Sequence, residues 1–221
     1  MVNIEAYISR LIDLLKDQFG ARLIYVGLQG SYLRGEATDS SDIDIMVIID
    51  DLSVTDLTAY RGIIRSMEHS DKSCGFICGR EDLANWNPLE ILNLVNSTRD
   101  HFGVLQELVP TYTEGDVRNF VKLSVNNLYH EICHRYIHSG NYTSIEKLAG
   151  TYKGVFFVLQ NLTYLRRGVF APTKASLMPL LEGLDRAVME RAMELNSGAS
   201  CDFAESFELL LHWCQATMRS V

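Results

Sequence analysis

Apolar residues recur at two different periods along this chain of 221 residues, and the change of period divides it into two stretches. Ile4, Ile8, Leu11, Ile12, Leu14 and Leu15 repeat at helical spacing, with Gly20 placed where that helix would stop. Leu23-Ile24-Tyr25-Val26 is a short β-prone run closed by Gly27. Ile43, Ile45, Met46, Val47, Ile48 and Ile49 form the strongest strand pattern in the chain. Ser53, followed three residues later by Asp56, has the form of a capping box and predicts a helix to about His69. Gly75-Phe76-Ile77-Cys78 predicts a third strand, Pro88 opens a helix through Val95, and His101 to Val109 read as one more strand. Beyond Pro110 the alternation gives way to helical patterns over 114–139, 144–168, 174–196 and 202–219. Thr143 with Glu146 supplies a second capping box after the Gly140-Asn141 break. The expected architecture is an α/β (α+β) domain with a small mixed sheet over 1–109, followed by an all-α helical bundle over 110–221.

The chemistry sits in one stretch, Gly30-Ser31-Tyr32-Leu33-Arg34-Gly35-Glu36-Ala37-Thr38-Asp39-Ser40-Ser41-Asp42-Ile43-Asp44-Ile45. Gly30 follows a predicted strand and Ser31 opens a short helix, an arrangement that lets a phosphate approach the backbone and meet unpaired N–H groups. Asp42 and Asp44 are two apart, so in a strand their carboxylates share one face while Ile43 and Ile45 point to the other. Two carboxylates side by side repel each other unless a cation lies between them, and oxygen donors next to a phosphate make that cation Mg²⁺. As ordinary turn residues, Asp39, Ser40 and Ser41 need no such explanation. Asp42 and Asp44 do, because the strand that carries them is otherwise strongly apolar.

The spacing G-S-x10-D-x-D, with Gly30-Ser31 after one strand and Asp42-x-Asp44 entering the next, resembles the signature of the DNA polymerase β-like nucleotidyltransferase superfamily. That superfamily includes antibiotic adenylyltransferases and minimal nucleotidyltransferases, and the helical second half is similar to the bundles that follow the antibiotic-type members. The resemblance implies a transfer of a nucleoside monophosphate, AMP from ATP, to a hydroxyl of a small-molecule or protein acceptor. It implies that Gly30 and Ser31 hold the nucleotide's terminal phosphates and that Asp42 and Asp44 are catalytic and bind the metals. It also implies a third carboxylate on a later strand, but Ser73-Cys74-Gly75-Phe76-Ile77-Cys78-Gly79 contains none. Asp71 precedes that run, and Glu81 and Asp82 follow it. A nucleotide-binding module without efficient turnover is therefore the alternative function. Lys153, which precedes the apolar residues Val155, Phe156, Phe157 and Leu159, is a nucleotide-binding candidate for reaching the triphosphate from the helical domain. A lysine snorkelling at the bundle edge accounts for it equally well. Arg34 is either a phosphate contact or a surface charge.

A competing motif lies at 130–134, His-Glu-Ile-Cys-His. On a helix the two histidines share a face and can bind Zn²⁺, with Glu131 as base, which is the pattern of a zinc hydrolase. Arg135 follows immediately and no strong third ligand is evident. The other reading is that His130, His134 and His138 form a polar stripe or line an acceptor site.

Composition narrows the partners. Lys and Arg total 20 against 28 Asp and Glu, a formal net charge of -8, so a long polyanionic acceptor is disfavoured and a small or cationic one suits the chain. No uncharged apolar run approaches the roughly 20 residues of a membrane helix. The N-terminus enters an amphipathic pattern at once, and five scattered cysteines suggest reduced thiols, so the expected location is cytoplasmic, without membrane or nucleic-acid partners.

Overall fold

In the computed structural model, which describes residues 2–221, the sheet is built around the strand marked most strongly by the hydrophobic pattern. Helix α1 (Ile4–Phe19) leads into β1 (Leu23–Leu28), α2 (Gly30–Arg34) and β2 (Ile43–Ile49). After α3 (Val54–Ser66) come β3 (Ser73–Gly79), α4 (Arg80–Ala84), α5 (Pro88–Asn96) and β4 (Arg99–Phe102). The strands lie in the order β3-β2-β1-β4; β2 and β3 run parallel and the other two pairings are antiparallel. This is the small mixed sheet that the pattern predicts. Every second residue of β2 goes to one side. Ile43, Ile45, Val47 and Ile49 pack with Ile8, Leu11 and Leu15 of α1 and with Ile63 of α3, while Met46 and Ile48 pack with Leu83 of α4 and Leu94 of α5. Each such aliphatic side chain taken fully from water contributes about 1.5–3 kcal/mol before entropy is subtracted.

The chain divides into two compact units, Met1–Thr111 and Tyr112–Val221. The second contains α6 (Glu114–His138), α7 (Ile145–Arg167), α8 (Lys174–Leu177), α9 (Gly183–Asn196) and α10 (Phe203–Ser220). Helix α7 is its spine: Tyr152, Val155, Leu159 and Leu162 are buried against Val121, Val125 and Ile132 of α6, Val188 of α9 and Trp213 of α10. Polar groups inside this bundle are tied down. Tyr152 donates its hydroxyl hydrogen to the Ser206 carbonyl (2.7 Å), Gln160 Nε2 donates to the Ala171 carbonyl (2.7 Å), and Trp213 Nε1 donates to Asp185 (2.7 Å). Among the described residues no helix is long and apolar enough to cross a membrane, and all five cysteines are free thiols.

Four local expectations change. The helix expected over 174–196 is broken into α8, a short 3-10 turn at Met178–Leu180, and α9. Pro179 lacks the N–H that a continuous helix would use, and Gly183 takes φ +55. The cap of α7 is Ser144 rather than Thr143, its hydroxyl accepting from the Lys147 N–H. The last strand is shorter than His101 to Val109 suggested: β4 ends at Phe102, Gly103 turns the chain at φ +76, and Leu105–Glu107 forms a 3-10 turn. Helix α4 was not expected; Asp82 opens it by accepting the Gly79 N–H (2.9 Å).

Candidate active site

The site begins where β1 hands over to α2. Gln29, the cap of that helix, continues the sheet by donating its N–H to the Asp44 carbonyl (2.9 Å), and its side-chain amide donates to Thr98 (2.8 Å). Gly30 follows with φ +67, a conformation L side chains rarely adopt. A Cβ placed there would lie 1.9 Å from Asp44 Oδ2, so only glycine allows the chain to pass against that carboxylate. Ser31 and Tyr32 complete the first turn, and the left-handed Gly35 closes α2 by donating its N–H to the carbonyls of Ser31 and Tyr32.

The loop back to β2 is a turn of the kind its composition suggests. The Thr38 N–H donates to Ser41 Oγ (2.8 Å), the Ser41 N–H returns to the Thr38 carbonyl (3.1 Å), and Lys72 Nζ donates to the Asp39 carbonyl. Asp39, Ser40 and Ser41 thus have structural roles in the turn. Asp42 and Asp44 enter the sheet next. Asp42 is exposed and Asp44 half-buried on the face opposite Ile43 and Ile45, which lie in the core. Burial first, and repulsion by Asp42 second, raise the Asp44 carboxyl above its ordinary range; a hydrogen bond from the Cys74 thiol and the positive charge of Arg34 act against this. Arg34 also pairs with Glu36 (3.0 Å). Among the described residues, neither Asp42 nor Asp44 has an ion-pair partner.

Parallel pairing sets Cys74 of β3 directly beside Asp44. Sequence reasoning identified the missing acid of β3 without identifying its neighbour, because register between strands 30 residues apart cannot be read from spacing. Of the acids flanking β3, Glu81 and Asp82 lie beyond its far end, about 16 Å along the strand from Cys74. Asp71 lies in the turn at the near end and is exposed.

The donors at this strand end suit a hard cation: two carboxylates on one face, one of them partly desolvated. Among the described residues no three His, Cys, Asp or Glu are grouped to hold a metal. Mg²⁺ characteristically takes one or two carboxylates and fills its remaining positions with water and substrate phosphate, so Asp42 and Asp44 fit it.

The remaining candidates belong to the second unit. Lys153 is exposed on α7 and lines a hollow of about 490 Å³ with Glu146, Gly150 and Asn196. His130, Glu131 and His134 share a face of α6, as the motif requires. Glu131, however, is ion-paired with Arg135 and accepts the Thr151 hydroxyl (2.9 Å), so it is not presented as a free base. The residue that weakens the zinc-hydrolase pattern in sequence is the one that holds its glutamate in the fold.

Residues 8–100 match the model of the nucleotidyltransferase domain family. A Methanocaldococcus jannaschii protein described as a candidate protein adenylyltransferase is 32% identical over 78 residues, covering 32% of this chain and 78% of that protein. Spectinomycin adenyltransferase from Enterococcus faecialis, solved with ATP and spectinomycin, superposes with a TM-score of 0.61 over 98% of this chain and 100% of its own, at 15% identity, a likeness of fold. With Gly30 set against Asp44 at the entrance of β2, this chain belongs to the nucleotidyltransferase family, as an adenylyltransferase-like enzyme of the DNA polymerase β-like type.

Proposed function

We propose that the protein transfers AMP from ATP to a hydroxyl of a small-molecule or protein acceptor and releases pyrophosphate. The observation that carries this reading is the pressing of Gly30 against Asp44, which sets the start of α2 directly beside the half-buried carboxylate of β2. Asp42 and Asp44 hold Mg²⁺, which when bound neutralises the phosphate charge that builds up during transfer. The Ser31 hydroxyl and the backbone around Gly30 anchor the terminal phosphates, and so keep the α-phosphorus in line with the acceptor. The acceptor oxygen forms the new bond to that phosphorus as the bond to the β-phosphate oxygen breaks. Lys153 is assigned to nucleotide binding, where its ammonium would meet phosphate charge. A cationic acceptor such as an aminoglycoside matches the acidic chain, and spectinomycin is the acceptor to try first.

The test is incubation with α-labelled ATP, Mg²⁺ and a panel of antibiotic and protein acceptors, comparing wild type with Asp42→Asn. Label transfer should require Asp42, and equal transfer by the two proteins would remove Asp42 from the site. A second reading, a nucleotide-binding module with weak or absent turnover, is favoured by one observation: a thiol, Cys74, stands beside Asp44 where the resemblance implies a later-strand carboxylate. Magnesium-dependent ATP binding without any labelled product would select it.

A further inference from the structure

The histidine stripe of α6 is left over by nucleotidyl transfer. His130, His134 and His138 follow one another at intervals of four residues, so each stands one turn above the last on the same face. Their ring centroids are 5.7 Å apart for His130 and His134 and 4.8 Å apart for His134 and His138. All three are exposed, on the wall of an open hollow of about 420 Å³ that Glu131, Arg135 and Lys147 also line. Two imidazoles one helical turn apart can close on a single divalent ion, and nitrogen donors favour Zn²⁺, Ni²⁺ and Cu²⁺ over Mg²⁺.

We propose that His134 and His138 form a surface chelate for a first-row transition-metal ion, separate in chemistry from the carboxylate pair of β2. They are the closer of the two neighbouring pairs, and the hollow leaves space for the water ligands that complete the coordination. Local charge does not oppose a cation strongly: Arg135 is neutralised by its ion pair with Glu131, leaving Lys147 as the one uncompensated formal charge among the lining residues. The same ion pair withholds Glu131 from a metal-bound water, so the site binds without the hydrolytic equipment that the H-E-x-x-H spelling suggests.

His134 is the pivot of this assignment because it belongs to both neighbouring pairs. Without it, His130 and His138 are eight residues apart, about 12 Å along the helix, too far to share one ion. The test is calorimetric titration of the untagged full-length protein with Ni²⁺, Cu²⁺ or Zn²⁺ alone. One ion per chain is expected. His134→Ala should weaken binding about tenfold or more, His138→Ala less, because His130 and His134 remain as a poorer pair, and His130→Ala by no more than about twofold. Circular dichroism of each variant confirms that α6 is intact, as the exposure of all three positions implies. The proposal is overturned if His134→Ala binds as tightly as wild type. It is equally overturned if His130→Ala costs as much as His134→Ala while His138→Ala has no effect, since that places the ion in the H-E-x-x-H pair.

Discussion

Two aspartates of the first unit begin neighbouring elements and have opposite surroundings. Asp56, in the first turn of α3, accepts hydrogen bonds from both the backbone N–H and hydroxyl of Ser53 (2.9 and 2.7 Å) and from Arg22 (2.5 Å). Its carboxyl is therefore held far below the usual range, by Arg22 first and Ser53 second. Asp44, on β2, is half-buried beside a second carboxylate and has the Cys74 thiol as its hydrogen-bond donor, so its carboxyl is raised. The first aspartate stabilises the fold; the second is a charge the fold holds at some cost to itself. A carboxylate placed in this way has its negative charge available for a ligand, and that difference separates a capping residue from a candidate metal ligand more clearly than burial does.

The largest expected effect breaks the site side of this comparison. Asp42→Asn and Asp44→Asn should each reduce label transfer from ATP by on the order of 10³-fold, measured as initial rates at saturating Mg²⁺. Asp44→Asn should at the same time make the metal-free protein more resistant to heat. Because the folded-state carboxyl is raised, its ionisation weakens the fold as pH rises through the carboxylate range, and an uncharged amide escapes that loss at pH 7. A melting temperature below that of wild type without metal would refute the reading of Asp44 as a charge held at a net cost to the fold.

Gly30→Ala comes next. The left-handed backbone alone costs a side chain roughly 1–2 kcal/mol, and the new methyl must also displace the Asp44 carboxylate. Urea denaturation should register a loss of that size or somewhat more, together with a marked fall in magnesium-dependent ATP binding.

Asp56→Asn is the smaller perturbation, and its pH dependence is what sharpens the contrast. A depressed folded-state pKa stabilises the protein at pH values above the unfolded value of about 3.9, and this contribution fades as the pH falls below it. The variant should therefore melt below wild type at pH 7, and the gap should narrow as the pH falls below about 4. A gap constant with pH would show that the carboxylate charge is not what matters.

The smallest effect concerns the two cysteines of β3. Cys74 is exposed beside Asp44, whereas Cys78 is buried and its thiol is pushed up to about 12 by burial. A thiol reagent should modify Cys74 readily in the native protein and reach Cys78 only on unfolding, and Mg²⁺ with ATP should slow the first reaction.

Much of this was legible along the chain. The alternation of β2 assigned Ile43 and Ile45 to one face and Asp42 and Asp44 to the other, because a strand has a side-chain period of two whatever it pairs with. The Ser53–Asp56 box and the helices from Glu114 to Arg167 are likewise short-range patterns, decided by hydrogen bonds and packing within one or two turns. Local signals were also where small errors arose. Thr143 and Ser144 are both competent caps, and the chain enters α7 so that the Ser144 hydroxyl is the one that accepts from the Lys147 N–H. Pro179 breaks a helix that periodicity alone carries through to Asn196.

What the sequence determined by itself was the composition of the site: a glycine-serine turn, two carboxylates on one strand face, and a later strand without an acid. The tertiary structure decided which groups meet. Parallel register puts Cys74 against Asp44, a left-handed Gly30 removes the atom that would have separated α2 from that carboxylate, and Arg135 with Thr151 engages Glu131. Arg135–Glu131 is an i,i+4 pair within α6, but the Cys74–Asp44 and Thr151–Glu131 contacts join residues 30 and 20 positions apart through strand pairing and helix packing. Local propensity carries no information about such pairings, because their energy depends on burial and register that exist only once the units have folded.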